Sequence, residues 1–228
     1  MGHRPWREIK HKRDQMTTTT EQEHWEDALV ALCKELDQTG QIDLYEYYST
    51  ADVLSTIELV VDTLNGAIDR LDSPTFAPSL PAWWRALLRL ALSRVALEKQ
   101  LTEAEALAHV ADVVYSKQRD YGHGNIAKFG MTGIIIRTND KYERLANLIS
   151  KNRDPSNEPL VDTWVDLVGY SIIALMWIEG TFLLPLRARQ QFDGDYQSDP
   201  TPSDLAAEIH DGYGDHHHVW LGDVTGPT

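Results

Sequence analysis

Residues 137–179 read RTNDKYERLANLISKNRDPSNEPLVDTWVDLVGYSIIALMWIE, and this stretch decides the fold. Its second half follows the helix-start signal Pro155-Ser156-Asn157 and is apolar on nearly every side, which is typical of a helix buried inside a bundle. Its first half also has apolar residues at helical spacing. Only residues 150–157 separate the two halves, so we expect two helices packed as an antiparallel hairpin.

The second helix carries a row of acidic side chains that we call the acidic ridge. Glu158, Asp162 and Asp166 are followed by Tyr170 at intervals of four residues, and four residues drift by only about 40° around an α-helix. Burying an unpaired ion in a bundle core is costly. The acidic ridge should therefore face a cleft, a metal ion or basic side chains.

The first helix of the hairpin offers both charge signs. Asp140, Arg144 and Asn147 share one face, and Lys141 lies beside Leu145 in the same pattern. From the residues alone, two interpretations stay open. These side chains could form a ligand site with the acidic ridge, or they could pair with it as a buried ion network that holds the hairpin together.

The rest of the chain predicts further helices and no paired strands. Apolar residues at helical spacing predict helices over 21–36, from Ser49 to about 71, over 83–99, and from Thr102 to about 119. Thr102 and Glu105 form a capping-box pattern. The glycine-rich residues 120–133 predict a loop that leads into the next helix. We therefore expect an all-α helical bundle.

Composition divides the chain into four parts. These are a mobile basic arm over 1–20, N-terminal helices over 21–72, a helical bundle over 83–187 that holds the site, and an acidic, largely disordered tail over 188–228. Proline-rich residues 73–81 connect the helical parts.

Charge and cysteine content exclude several classes of function. A net charge of −14 and a pI near 4.9 argue against direct binding to nucleic acid or to an anionic membrane. The single cysteine, Cys33, excludes an intramolecular disulfide, fits a cytoplasmic location, and lies in an apolar run that predicts burial. Residues 167–186 are apolar, but Glu179 and Pro185 interrupt them, so we expect a buried helix and no membrane span.

Four motifs between residues 112 and 177 carry a family resemblance. They are Lys117-x-x-Asp120-Tyr121-Gly122, Phe129-Gly130-Met131-x-Gly133, Arg137-x-x-Asp140-Lys141-x-x-Arg144-Leu145-x-Asn147-Leu148 and Glu158-x-x-x-Asp162-Thr163-x-x-Asp166-Leu167-x-x-Tyr170. Together they resemble the nucleotide modification associated domain type 1, a phage and bacterial family related to the MazG-like all-α nucleotide pyrophosphohydrolases. The resemblance covers under a third of the chain.

The resemblance implies a MazG-like bundle that binds or hydrolyses nucleoside di- or triphosphates beside Mg²⁺ or Mn²⁺. By that likeness Glu158, Asp162 and Asp166 are the catalytic residues, and with Asp140 they are the metal ligands. The implied substrate-binding residues are Lys117, Asp120, Tyr121, Asn125, Arg137, Lys141, Arg144, Asn147 and Tyr170. A homo-oligomer in the host cytoplasm is also implied. Where the enzymes have paired glutamates, this chain has Asp140, Lys141 and Arg144.

Three functions follow as expectations. The first is a Mg²⁺-dependent (deoxy)nucleoside triphosphate pyrophosphohydrolase that acts on the nucleotide pool in phage DNA metabolism or modification. The second is a protein that binds or sequesters nucleotides in the same pocket without turnover. The third is a helical protein-interaction module whose basic arm and acidic tail bind partners.

Overall fold

A computed structural model describes residues 23–38, 49–151, 155 and 158–187, and this part of the chain is helical without any strand. The predicted all-α class is confirmed for these residues, whereas the basic arm and the acidic tail lie outside them. The α-helices are α1 Trp25–Gln38, α2 Thr50–Asn65, α3 Leu80–Lys99, α4 Glu103–Tyr121, α5 Gly124–Ala127, α6 Gly130–Ser150 and α7 Leu160–Glu179, and the 3₁₀ helices are Ile68–Arg70 and Ala77–Ser79.

Two helices begin at capping boxes. The Thr102 hydroxyl accepts a hydrogen bond from the Glu105 backbone N–H at 3.2 Å, and the Glu105 carboxylate accepts one from the Thr102 N–H at 2.8 Å. Ser49 and Asp52 do the same at the start of α2. Both starts agree with the sequence pattern, because a capping box satisfies backbone donors with side chains from the same turn. The sequence also predicts α3, although the helix begins at Leu80, inside the predicted connector.

The helices α6 and α7 form the predicted antiparallel hairpin. Lys141, in the middle of α6, pairs with Asp166, while Gly130, the first residue of α6, lies against Trp177 in the last turn of α7. Residue numbers therefore rise along one helix as they fall along the other. The hairpin brings the face of α6 that holds Lys141 to the acidic side of α7.

The helix α7 lies at the centre of the hydrophobic core. It packs most extensively on α3 and α6, and it also contacts α4 and α1. Trp25, Trp84 and Trp164 are completely buried in one cluster that includes residues from each of the α-helices α1 to α7. Burying one large apolar side chain contributes about 1.5–3 kcal/mol to stability. By length and composition α7 could also cross a membrane, but most of it is buried and such core helices pass the same test, so this is weak evidence for a span.

The start of α7 differs from the prediction. The helix begins at Leu160, after Pro159 in an extended conformation, so Glu158 precedes the helix and only Asp162, Asp166 and Tyr170 continue the row along it. The residue before a proline is disfavoured in the α region, because the proline ring clashes with its backbone. The predicted placement of Glu158 on the helix was therefore wrong.

The loop predicted over residues 120–133 is also shorter than expected. The short helix α5 occupies Gly124–Ala127, and α6 already begins at Gly130. Gly130 has a φ of +57° and its missing Cβ would lie 3.0 Å from the Trp177 ring. A glycine is needed here, because other residues rarely adopt this backbone conformation and the ring leaves little room.

Replacing Gly130 with alanine should destabilise the protein. We expect Gly130→Ala to lower the free energy of unfolding by about 1–2 kcal/mol, since a left-handed conformation costs that much for a residue with a Cβ. Gly124→Ala is the matched control: its added Cβ meets no atom within 4 Å, so stability should stay equal or rise slightly. Urea unfolding of both variants checks this, and equal effects would contradict the role of Gly130.

Candidate functional site

A cavity of about 510 Å³ lies where α4, α5, α6 and α7 meet. This volume falls in the range typical of small-molecule sites. The lining residues are Val113, Val114, Lys117, Gln118, Tyr121, Gly122, Asn125, Ile126, Arg137, Lys141, Glu158, Val165, Asp166, Gly169, Tyr170 and Ile173.

The cavity gathers most of the site residues that the sequence predicts. Those that line it are Lys117, Tyr121, Asn125, Arg137, Lys141, Glu158, Asp166 and Tyr170. Asp120, Asp140, Arg144, Asn147 and Asp162 do not line it. The predicted ligand set is therefore only partly brought together.

Asp166 stands between two lysines. Its Oδ1 accepts a hydrogen bond from Lys117 Nζ at 2.7 Å, and its Oδ2 pairs with Lys141 Nζ at 2.6 Å. Burial alone would raise the pKa of Asp166, but hydrogen bonds and charge from both lysines outweigh burial, so the pKa is lowered. The side chain of Asp166 is only 14% exposed. Asp166 is consequently a carboxylate whose two oxygens are both satisfied by cations.

Lys141 is the more deeply placed of the two lysines. Its side chain is 27% exposed, against 55% for Lys117. Burial lowers the pKa of Lys141. Its hydrogen bond to Asp166 and the charges of Asp166, Tyr170 and Glu158 raise the pKa by more than burial lowers it, so the net shift is upward. The ammonium group is therefore held in its charged form inside the cavity wall.

A third cation faces the same space. Arg137 of α6 donates a hydrogen bond from Nη2 to the Asn125 Oδ1 of α5 at 2.7 Å. Lys117, Lys141 and Arg137 supply three positive charges to the lining, while Glu158 and Asp166 supply two negative charges. The lining thus has an excess of one positive charge in a strongly acidic protein.

The remaining wall is apolar and aromatic. Tyr121 is 71% exposed at the mouth, and Tyr170 and several branched aliphatic side chains complete the surface. Gly169 lets α7 approach α4 closely, because a Cβ at this position would lie 3.2 Å from Val114 Cγ2. Such a wall can stack against a planar ring while the cations hold an anion.

The predicted residues outside the cavity have other contacts. Arg144 donates from Nη2 to the backbone carbonyl of Glu158 at 2.7 Å, which fixes the segment before α7. The Asn147 side chain accepts a hydrogen bond from Lys151. Asp162 lies near His109, whose pKa is lowered by burial and by Lys99 although Asp162 opposes that shift. None of these contacts is an ion pair with the acidic ridge. Of the buried ion network that one of the two sequence-based interpretations expects, the described residues show the pairing of Lys141 with Asp166.

The described residues contain no group of three or more His, Cys, Asp or Glu side chains that could hold a metal ion. Asp140 and Asp162 do not line the cavity, so the four predicted metal ligands are not gathered in one place. Glu158 and Asp166 do line it. Mg²⁺ commonly takes only one or two protein carboxylates when phosphates and waters complete its shell. Both oxygens of Asp166 are bound by lysines, so Asp166 could join Glu158 as a metal ligand only after a phosphate had displaced a lysine from it.

Sequence reasoning missed Gln118. This side chain is only 6% exposed and lines the cavity from the last turn of α4. A signal was present, since Val110 and Val114 precede it at intervals of four residues and both are buried. The helical spacing therefore placed a polar amide on an apolar face.

Three groups away from the cavity lining have strongly shifted pKa values, and two of them are Cys33 and Asp112. Burial, followed by the charges of Asp112 and Asp37, raises the pKa of Cys33 to about 12, and the predicted burial of this thiol is confirmed. A thiol with such a pKa is a poor nucleophile at neutral pH. Burial also raises the pKa of Asp112 to about 7. Neither residue lines the cavity.

No protein-family model, curated protein or solved structure matches this chain. The resemblance to the nucleotide modification associated domain and to MazG-like enzymes stays a prediction, as do the homo-oligomer and the cytoplasmic location.

The two lysines should differ in their effect on stability. We expect Lys141→Met to lower the free energy of unfolding by about 1–3 kcal/mol at pH 7, because it leaves a half-buried carboxylate with one partner. Lys117→Met should cost at most about 1 kcal/mol, since exposed ion pairs contribute little. Urea unfolding of both variants at pH 7 measures the difference.

Urea unfolding at acidic pH tests whether the pairing of Lys141 with Asp166 causes this loss of stability. The folded-state pKa of Asp166 is lowered, so its contribution is present above its unfolded pKa of about 3.9 and is lost as the pH falls through the folded value. The gap between the wild type and Lys141→Met should therefore shrink below about pH 4. A gap that stays constant with pH would contradict the Asp166 pairing as its source.

Proposed function

We propose that this protein binds a nucleoside di- or triphosphate in the cavity between α4, α5, α6 and α7. The observation that carries the proposal is the composition of the lining, in which Lys117, Lys141 and Arg137 share one space with two tyrosines and an apolar wall. A phosphorylated, ring-containing ligand matches both parts. The overall charge of −14 disfavours anions elsewhere on the surface.

The cationic part of the lining suits the phosphates. Arg137 can hold two phosphate oxygens with its planar guanidinium group, while each lysine acts as a point charge with three donors. Lys117 and Lys141 both pair with Asp166. A bound phosphate would share or replace that carboxylate, so binding exchanges one set of charge-assisted hydrogen bonds for another.

The apolar part suits the base and sugar. Tyr121 at the mouth can stack on a planar heterocycle, and such stacking adds about 0.5–1.5 kcal/mol beyond the area buried. Val113, Val114 and Ile173 supply an uncharged surface beside it. The ligand class is therefore better matched by a nucleotide than by inorganic phosphate alone.

A divalent cation fits this proposal through Glu158 and Asp166, the carboxylates of the lining. When bound, Mg²⁺ or Mn²⁺ would neutralise phosphate charge and polarise the phosphorus–oxygen bonds. The residues of the chain itself orient the phosphates and exclude water on the apolar side.

Pyrophosphohydrolysis is a second candidate, favoured because Glu158 lines the cavity beside the cations and its backbone is fixed by Arg144. In this reaction a water adds to the α-phosphorus, the bond from that phosphorus to the bridging oxygen breaks, and pyrophosphate leaves with the oxygen. Glu158 would accept the proton of the water. Arg137 and Lys141 would stabilise the charge of the leaving group.

Binding should appear as a ligand-dependent rise in melting temperature. We expect at least one nucleoside triphosphate to raise the Tm of the wild type, since a ligand that binds only the folded state stabilises it. Arg137→Gln should weaken Kd by about tenfold or more, because it removes a charge-assisted contact. Lys128→Gln is the control, as Lys128 is exposed and does not line the cavity. No Tm shift with any nucleotide would refute the proposal.

Turnover is tested by pyrophosphate release with Mg²⁺ present. If the protein is a hydrolase, Glu158→Gln should lower kcat by about 10²-fold or more, as expected on loss of a general base, while nucleotide binding persists. Glu143→Gln, an exposed change on α6 away from the lining, should keep activity. Binding without pyrophosphate release from any nucleotide would leave the nucleotide-binding function and exclude hydrolysis. A loss confined to Asp162→Asn would instead favour the ligand set implied by the sequence resemblance.

A further inference from the structure

The amide of Gln118 is a polar group in an unusual position. The side chain is 6% exposed, and its Nε2 is buried with no hydrogen-bond partner among the described residues. Its neighbours in the lining include Val114 and Ile126, which offer no polar atom in their side chains. Lys117, the preceding residue on α4, is by contrast mostly exposed and is bound to Asp166.

An unsatisfied buried donor lowers stability in the absence of a ligand. Folding removes the amide from water, and no protein acceptor within the described ranges replaces the lost hydrogen bond. An apolar side chain of the same shape would avoid that cost. Gln118 lies in the cavity wall, and its buried Nε2 can meet a ligand acceptor there once the amide turns toward the cavity.

We propose that Gln118 is a specificity-determining residue that hydrogen-bonds the base edge of the bound nucleotide, an inference that rests on the proposed nucleotide-binding function. The amide can turn by 180° about its last torsion angle, which exchanges Oε1 and Nε2 and presents either group to the cavity. It thus offers one donor and one acceptor side by side. The edge of a nucleobase presents the complementary pair.

The chemistry of the lining separates the two ends of the ligand. Phosphate oxygens are charged acceptors, and the three cations of the cavity already provide charged donors for them. Gln118 is neutral and follows Val114 by four residues on one face of α4, and both residues line the cavity. An uncharged surface of this kind suits a planar base. A site that hydrogen-bonds a polar edge discriminates strongly against ligands without it, because its own buried group is then left unpaired. Gln118 should therefore make binding depend on an intact base.

The experiment compares nucleotides with inorganic triphosphate, which has the phosphates but no base. We expect the wild type to bind at least one of the four deoxynucleoside triphosphates about tenfold or more tightly than inorganic triphosphate. Gln118→Met, which keeps the length of the side chain and removes its hydrogen bonds, should weaken that nucleotide about tenfold. The Kd for inorganic triphosphate should stay within about twofold. Calorimetry provides all these values.

Two further measurements separate a role of Gln118 in ligand recognition from a role in folding. The unliganded Gln118→Met variant should melt at the wild-type temperature or above, because it loses an unsatisfied donor. A residue needed for folding would instead lower the Tm. Ser116→Ala, an exposed change on the same helix outside the lining, should change neither Kd nor Tm.

The outcomes distinguish this inference from the proposed function. If the wild type binds nucleotides and Arg137→Gln weakens them, but Gln118→Met binds as tightly as the wild type, the role of Gln118 is overturned and the nucleotide site stands. If the wild type binds nucleotides no more tightly than inorganic triphosphate, these wild-type Kd values alone overturn base recognition. If the wild type binds neither, both proposals fail together.

Discussion

The carboxylate of Asp166, bound by Lys117 and Lys141, is the interaction on which the site depends. It joins α4, α6 and α7 at one point, since each of the three side chains comes from a different helix. Asp166 belongs to the helix that fills the core, where an unpaired ion would be costly. The two lysines neutralise this carboxylate from the neighbouring helices, and both line the cavity.

Close packing also positions these helices. Gly169 allows α7 to approach Val114 of α4, while the core side of α7 is filled by Trp164, Leu167 and Ile172, all completely buried. Aliphatic side chains of similar volume could join the three helices as well as an ion cluster does, and often with equal or greater stability. The charges at this point are thus better explained by a ligand than by the stability of the hairpin.

Local signals predicted the parts of this structure that depend on local chemistry. The capping box at Thr102 involves residues of one turn, so its pattern is visible in the sequence and the structure agrees. The helical spacing of four also placed Asp166 and Tyr170 on one side of α7, and both line the cavity. The same spacing wrongly predicts Glu158 on the helix, because Pro159 disfavours the helical conformation of the residue before it.

Other features depend on contacts between distant residues and were not predictable in this way. The glycines at 130 and 133 predict a loop, but the packing of Trp177 against Gly130 fixes the start of α6 at this point. Which carboxylates of the row line the cavity depends on how the neighbouring helices pack on α7, and Asp162, about one turn before Asp166, lies outside the lining. The burial of Gln118 likewise depends on α5 and α7 closing over the end of α4.

The lysine pair and the Gln118 amide differ in the binding free energy that a ligand would gain from a hydrogen bond to each. A phosphate that takes Lys117 and Lys141 must replace hydrogen bonds these lysines already make to Asp166, so the exchange releases only the difference between two charge-assisted contacts. The Gln118 donor has no partner to lose among the described residues. A hydrogen bond from it to a base is therefore gained without breaking another within the protein, and it removes a desolvation cost that folding has already imposed. Under the proposed function, the phosphates would supply general affinity for nucleotides, and the neutral amide would supply the larger difference in affinity between one ligand and another.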